Sequence, residues 1–195
     1  YEDADVYAFV KNNGGKVAVY KENLYKPMPG YRFIASNTDR SRYYVGELNG
    51  KSSKQAYMDA LHISESNIIN QTFHNPLGKM NGQDICIISL KEVSGNGLCC
   101  YRQVNDSDVL VLLEEQDYNE ILDETLQRIR RDFNHISGVF SINCVFRYLL
   151  FSQEHHMEDY LKTMSTLGDH AGLIGFGEHY NQQFVNQTMT CVVFE

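Results

Sequence analysis

Gly172-Leu173-Ile174-Gly175-Phe176-Gly177-Glu178, then after a short polar loop Asn186-Gln187-Thr188-Met189-Thr190-Cys191-Val192-Val193-Phe194, is the stretch that sets the architecture. An apolar run punctuated by glycines stops on a carboxylate, and the chain returns in an alternating strand. Glycine lets a backbone approach another group closely, and three of them precede Glu178. Glu178, Asn186 and Thr188 then stand as polar groups at strand ends. This pattern suits one wall of a small pocket better than a bare hairpin.

Working back from that stretch, residues 154–167 read as an amphipathic helix on Met157, Leu161, Met164 and Leu167, closed by Gly168. Residues 138–143 read as a strand running into Cys144-Val145-Phe146-Arg147. The clearest helix spans 117–133, with Tyr118, Leu122, Leu126, Ile129 and Phe133 on one stripe. Its acids come early and its arginines late, which complements the helix dipole, so that charge run is a solvated face. Strands are expected over 84–93, 98–104 and 108–114. Val109-Leu110-Val111-Leu112-Leu113 is almost wholly apolar and should be central, covered on both faces.

Ser52 is a natural cap for a helix over 52–62, and Ser64 opens a further short helical turn. Asn75-Pro76-Leu77-Gly78 reads as a turn. Toward the start, strands are expected over 6–10, 16–20, 31–35 and 42–48. Asn12-Asn13-Gly14-Gly15 is a hairpin signal, and Pro27-Met28-Pro29-Gly30 breaks the strand pattern. Strands and helices mix without regular βαβ alternation. The predicted fold class is α+β, a mainly antiparallel mixed sheet packed with two long amphipathic helices.

Length and charge narrow the function classes. A chain of 195 residues makes one large domain or two small ones. Its net charge is −8 and its seventeen Lys and Arg are scattered, so no footprint for nucleic acid or anionic membrane exists. No apolar run reaches the roughly eighteen residues of a membrane helix, so insertion of this chain is not expected. The chain opens at Tyr1 without an initiating Met, as a trimmed chain would, so any targeting segment lies outside it. Five cysteines with no Cys-x-x-Cys spacing read as reduced, mostly buried thiols in a cytoplasmic protein. The Asn-x-Ser/Thr matches at Asn70, Asn105 and Asn186 fit chance. No phosphate loop, dinucleotide fingerprint or His-Glu-x-x-His is present, and His155-His156 are adjacent residues that point apart. No cofactor and no metal is implied.

Two constellations carry chemistry. Cys144 at the end of a buried strand permits a cysteine nucleophile, activated by Arg147 and a following helix N-terminus. Asn143, Cys144 and Arg147 together form a strand-to-helix junction whose N–H groups and guanidinium suit a carboxylate. Glu178 would then take an ammonium, and the pair would suit a zwitterion such as an amino acid. The plainer alternative is that Arg147 and Glu178 pair with each other.

The order of these segments resembles the FIST domain family, sensory domains of bacterial signal-transduction proteins that also occur beside F-box segments. Gly177-Glu178 followed by Asn186-x-Thr188 and a closing strand is similar to the C-terminal part of FIST C. Glu47-Leu48-Asn49-Gly50 before the Tyr57 helix looks like the join between FIST N and FIST C. Asn75-Pro76-Leu77-Gly78 resembles the family's Pro-Leu-Gly turn, Gly97-Leu98 with Asp108-Val109 its paired strands, and Asn143-Cys144-x-x-Arg147 its Cys-x-x-Arg-like segment. The resemblance divides the chain into a FIST N remnant over 1–45 and a FIST C-like domain over 46–195. It implies a non-enzymatic sensor that binds a small ligand through Asn143, Cys144, Arg147, Gly177, Glu178, Asn186 and Thr188. Its output would come from a fused or neighbouring signalling domain. Three departures fall near the pocket. Phe146 stands where the family usually has Gly, Leu173 where an aromatic is common, and His179-Tyr180 in place of an apolar-Gly continuation. Two readings therefore stay open beside the sensor: a cysteine enzyme using Cys144, and a protein-interaction module with a vestigial pocket.

Overall fold

The structure is a computed structural model that describes residues 9–82 and 84–195. The strand expected over 6–10 lies mostly outside the described residues. β1 (Val17–Asn23) and β2 (Tyr25–Asp39) are separated by Leu24 alone. β3 (Tyr44–Leu48) and β4 (Lys51–Ser52) form a tight hairpin at Asn49-Gly50, both at positive φ (53° and 71°), as the twist of a two-residue turn demands. Ser52 caps α1 (Ser53–Leu61), its hydroxyl accepting from the Gln55 N–H at 3.3 Å. A 3₁₀ turn, Glu65–Asn67, leads into the short α2 (Ile68–Gln71). Then come β5 (Leu77–Asn81), β6 (Asp84–Ile88), β7 (Leu90–Ser94), β8 (Gly97–Cys100) and β9 (Val109–Glu115).

The segment read as one strand over 84–93 is two, divided at Ser89, and that division shapes the sheet. The hydrogen-bonded order is β6-β5-β9-β2-β3-β8-β7, with β4 added to β3. The two end strands are thus consecutive in the chain, one residue apart, so the sheet curls until its edges approach. Ala56, Tyr57 and Ala60 of α1, with Ile68, plug the inside of this curl against Leu48, Leu77, Leu98 and Leu112. Pro27-Met28-Pro29-Gly30 does not end its strand. β2 runs through it, and the ladder to β9 shifts register between Pro27 and Arg32, because proline has no N–H to donate.

α3 (Tyr118–Asp132) follows, with the Asp117 carboxylate accepting from the N–H groups of Asn119 and Glu120. Next are β10 (Gly138–Cys144), α4 (Val145–Gln153), α5 (Met157–Met164), β11 (Asp169–Gly175), β12 (Glu178–Tyr180), β13 (Gln183–Val185) and β14 (Thr188–Phe194). β1, β14, β10 and β11 form a second sheet in that order. Only the β10–β11 pair is parallel. One face of this sheet, through Tyr20, Val139, Met189 and Val193, packs on Leu122, Leu126 and Ile129 of α3 and on Phe151, Tyr160 and Met164.

β9 lies where the two cores meet. Leu110 and Leu112 face the plugged curl, while Val111 and Leu113 face the helical layer, so the expected double coverage is present. The α+β class holds, with a refinement in its helices. α3 is long, but the helix expected over 154–167 begins at Met157 and ends in a 3₁₀ turn, Ser165–Leu167. The short α4 precedes it. His155 sits at φ 55° between them and stops α4 from running on. The loop expected between Glu178 and Asn186 is the hairpin β12–β13, reversed at Asn181 with φ 54°.

Candidate functional site

β10 passes straight into α4, and Cys144 is the residue at the junction. Inward-facing residues of a strand alternate, so Val139, Ser141 and Asn143 turn toward the helices and Cys144 opens the next turn. The N–H groups of Phe146, Arg147 and Gln187 face the Cys144 sulfur. Even so, burial, aided by the nearby charge of Glu178, pushes its thiol above the usual range. That environment does not produce a thiolate at neutral pH.

Arg147 sits in the first turn of α4 and points inward. Its Nη2 donates to Glu22 Oε1 on β1, in an ion pair that solvent does not reach from either side. The guanidinium also lies 4.6 Å from the Phe151 ring centre and 5.5 Å from that of Tyr160. Arg147 therefore pairs with Glu22, not with Glu178.

Glu178 opens β12 and is buried. Its Oε2 accepts from the Thr188 hydroxyl at 2.7 Å, which joins two of the residues singled out in the sequence. Burial raises its pKa to about 7, against the opposing help of Thr188, Cys144 and the more distant Arg147 charge. Glu178 Oε1 has no hydrogen-bond partner among the described residues. Gly177 holds φ at 111°, and a Cβ there would come within 2.6 Å of the Phe184 ring and 3.1 Å of Asn186 Oδ1. Both conformation and space require glycine at that position.

A cleft of about 440 Å³ opens where α4 begins. Cys144, Asn186 and Ser89 supply its polar lining. Phe73, Tyr101, Phe146 and Phe184 form aromatic walls, with Phe146 centred 5.2 Å from both Phe73 and Tyr101. Ile69, Leu90 and Leu149 complete the apolar surface, and Phe176 stands at the rim with its ring almost wholly exposed. Among the described lining residues only Lys91 is charged.

The sequence residues thus separate. Cys144 and Asn186 line this cleft, and Glu178 and Thr188 lie buried together. Gly177 packs under Phe184, Arg147 is held by Glu22, and Asn143 gives its Nδ2–H to the Tyr160 hydroxyl at 2.9 Å. The upstream wall, from α2 to β8, was not legible as part of a site. Nor was Gln187, whose amide donates to the Tyr25 hydroxyl at 2.9 Å and the Thr72 carbonyl at 3.3 Å, and accepts from Ser89 at 2.7 Å. Its positive φ of 52° is what turns the side chain between the two walls. The sequence reading gave Phe146 only as a departure from the family pattern, and the structure makes it part of an aromatic wall.

The FIST C domain is the family whose sequence pattern matches, over residues 54–181, from α1 through β12. No curated protein and no solved structure matches the chain. No helix among the described residues is long and apolar enough to cross a membrane.

Proposed function

The chain belongs to the FIST C domain family, associated with sensing in signal transduction, and on that premise we propose that it binds a small ligand in the cleft at the start of α4. The cleft itself carries the proposal. At about 440 Å³ it falls within the size range of small-molecule sites, and its aromatic walls with a few convergent polar groups have the character of one. The ligand has a flat apolar body held between Phe146, Tyr101 and Phe184. One anionic group lies within reach of Lys91, and polar atoms meet Asn186. An amino acid with an aromatic side chain is the version of the amino-acid reading that this lining fits.

Cys144 and Asn186 touch the ligand in this proposal. Glu178, Thr188 and Gly177 support the wall behind them, Arg147 positions α4, and Asn143 holds α5 through Tyr160. The raised thiol of Cys144 argues for a binding role over a nucleophilic one. Occupancy reaches a fused or neighbouring signalling domain through α4, whose first turn meets both the cleft and β1. The exposed ring of Phe176 favours one second reading, in which the cleft takes an apolar side chain from a protein partner.

A thermal-shift panel tests the proposal. Aromatic amino acids and aryl carboxylates should raise the melting temperature, and small polar amino acids should not. A ligand at a hundredfold excess over Kd adds about 2.7 kcal/mol. A panel in which none of these compounds moves the transition would count against small-ligand binding.

A further inference from the structure

The second sheet ends on β11, which pairs only with β10 among the described residues. Along its other side the backbone N–H and C=O groups have no strand to bond, and such an edge is a template for a further strand. Other edges of the molecule carry devices that discourage one. At the opposite end of the same sheet, Arg128 on α3 sets a guanidinium against β1, donating to the Lys21 carbonyl at 3.1 Å. β7 bears Lys91 and Glu92 and shifts register against β8 between Leu90 and Glu92. β6 opens on Asp84, which Lys21 and Gln183 hold at 2.7 and 2.9 Å. In β11, Asp169-His170-Ala171-Gly172-Leu173-Ile174-Gly175 contains no lysine, arginine or proline, and its seven residues follow β10 without a bulge.

Apolar side chains flank this edge on both faces. Ala171 and Leu173 stand beside Phe140 and Ile142 on the face turned away from the helices. Ile174 points to the helical face, where it shares a groove with Leu161 of α5. Leu161, Leu173 and Ile174 are each nearly half exposed. An open backbone between two apolar margins is what a sheet needs to continue into another chain.

The order of residues along β11 favours a second copy of this chain. Two such strands related by a two-fold axis at Gly172 run antiparallel, and that centre alone pairs all seven residues. Gly172 then meets the partner's Gly172, and Leu173 stands beside the partner's Ala171, a large side chain next to a small one. Ile174 covers the partner's His170. Asp169 stands beside the partner's Gly175, which puts the two carboxylates at opposite ends of the ladder. In-register parallel pairing would instead set them side by side, where like charges repel. Each antiparallel pair joins two odd or two even positions, so outer face continues outer face and helical face continues helical face.

We propose that β11 is a homodimerisation edge, where two copies pair antiparallel about Gly172 and their four-stranded sheets become one of eight strands. The contact is at the small end of protein interfaces, so the dimer is reversible and grows with concentration. No residue of β11 lines the cleft at the start of α4, and the dimer does not rest on ligand binding there.

Sedimentation velocity over a concentration series from low micromolar to near-millimolar tests this. The sedimentation coefficient should rise from the monomer's value toward the dimer's. Leu173→Lys and Ile174→Lys, at exposed positions on opposite faces, should keep the melting temperature and weaken association by about tenfold or more. Val17→Lys, equally exposed but on β1, should leave association unchanged. Register is read by mixing Ala171→Cys and Leu173→Cys proteins and oxidising the mixture. Directly opposed positions lie within disulfide reach, so mixed dimers should cross-link ahead of either variant alone. The proposal is overturned if the chain stays monomeric at every concentration, which would leave the edge to a different partner. A dimer broken by Val17→Lys but not by Ile174→Lys would be face to face, and would overturn it too. So would cross-links that form as readily within one variant as between the two.

Discussion

Arg147 on α4 and Glu22 on β1 lie 125 residues apart in the chain and meet as a fully buried ion pair. The pair ties the first turn of α4 to the second sheet, and α4 carries part of the cleft. Removing one partner strands a charge in the interior. Arg147→Met or Glu22→Leu alone should therefore cost about 3–5 kcal/mol in urea unfolding. The double substitution should cost much less than the sum of the two, since it strands no charge. Single losses below about 1 kcal/mol would show that the pair is not desolvated as described.

This pair also marks what the sequence could and could not show. The apolar run in β9, the stripe of α3 and the Ser52 cap of α1 are local patterns, and each produced the element it predicted. Glu178 and Thr188 were legible as groups on one wall because they belong to one short segment, though their direct contact was not foreseen. Glu22 gave no signal, because its partner is set by sheet pairing between distant segments. The aromatic wall from Phe73 and Tyr101 was hidden for the same reason. The start of α4 was legible as the helix following the Cys144 junction, but its extent was not, because Val145-Phe146-Arg147-Tyr148-Leu149-Leu150-Phe151 is apolar nearly all round and carries no helical stripe.

Glu178 gives the fold a pH dependence whose sign can be worked out. Its folded pKa, about 7, lies above the ordinary 4.5, so the folded state favours the protonated carboxyl. Its contribution is fully present below about pH 4.5, declines as pH rises, and is lost above about pH 7. The shift corresponds to roughly 3 kcal/mol at most. His156 and His170, both lowered by burial, act oppositely, since their contribution is lost as pH falls below the ordinary 6.5. Comparison with Glu178→Gln isolates the carboxyl. Relative to the wild type, this variant should gain stability between about pH 5 and about pH 8. A constant difference across that range would contradict the buried, protonated state.

Thiol chemistry separates binding from catalysis. Cys144 is buried with a raised pKa, whereas Cys86 is only half-buried. Iodoacetamide at neutral pH, followed by peptide mass spectrometry, should label Cys86 well before Cys144. Rapid labelling of Cys144 would instead mark an activated nucleophile and favour an enzyme.

Gln187 bridges Ser89, Tyr25 and Thr72, which belong to the curled sheet and the turn after α2. Gln187→Leu leaves those buried groups short of partners and should cost about 3 kcal/mol. It should also loosen the cleft, seen as faster hydrogen exchange at residues 186–188. An unchanged unfolding midpoint would mean that the two walls are held by other contacts.

The central claim is that a small ligand sits between the aromatic walls at the start of α4. Its most direct test is isothermal titration of the best aromatic amino acid or aryl carboxylate from the thermal-shift panel. The titration is run on the wild type, Phe146→Ala and Lys91→Ala. Saturable one-to-one binding should weaken by about tenfold in each variant, as loss of a stacking wall and of a charge partner requires. Binding that is absent in the wild type, or equally strong in both variants, would contradict it.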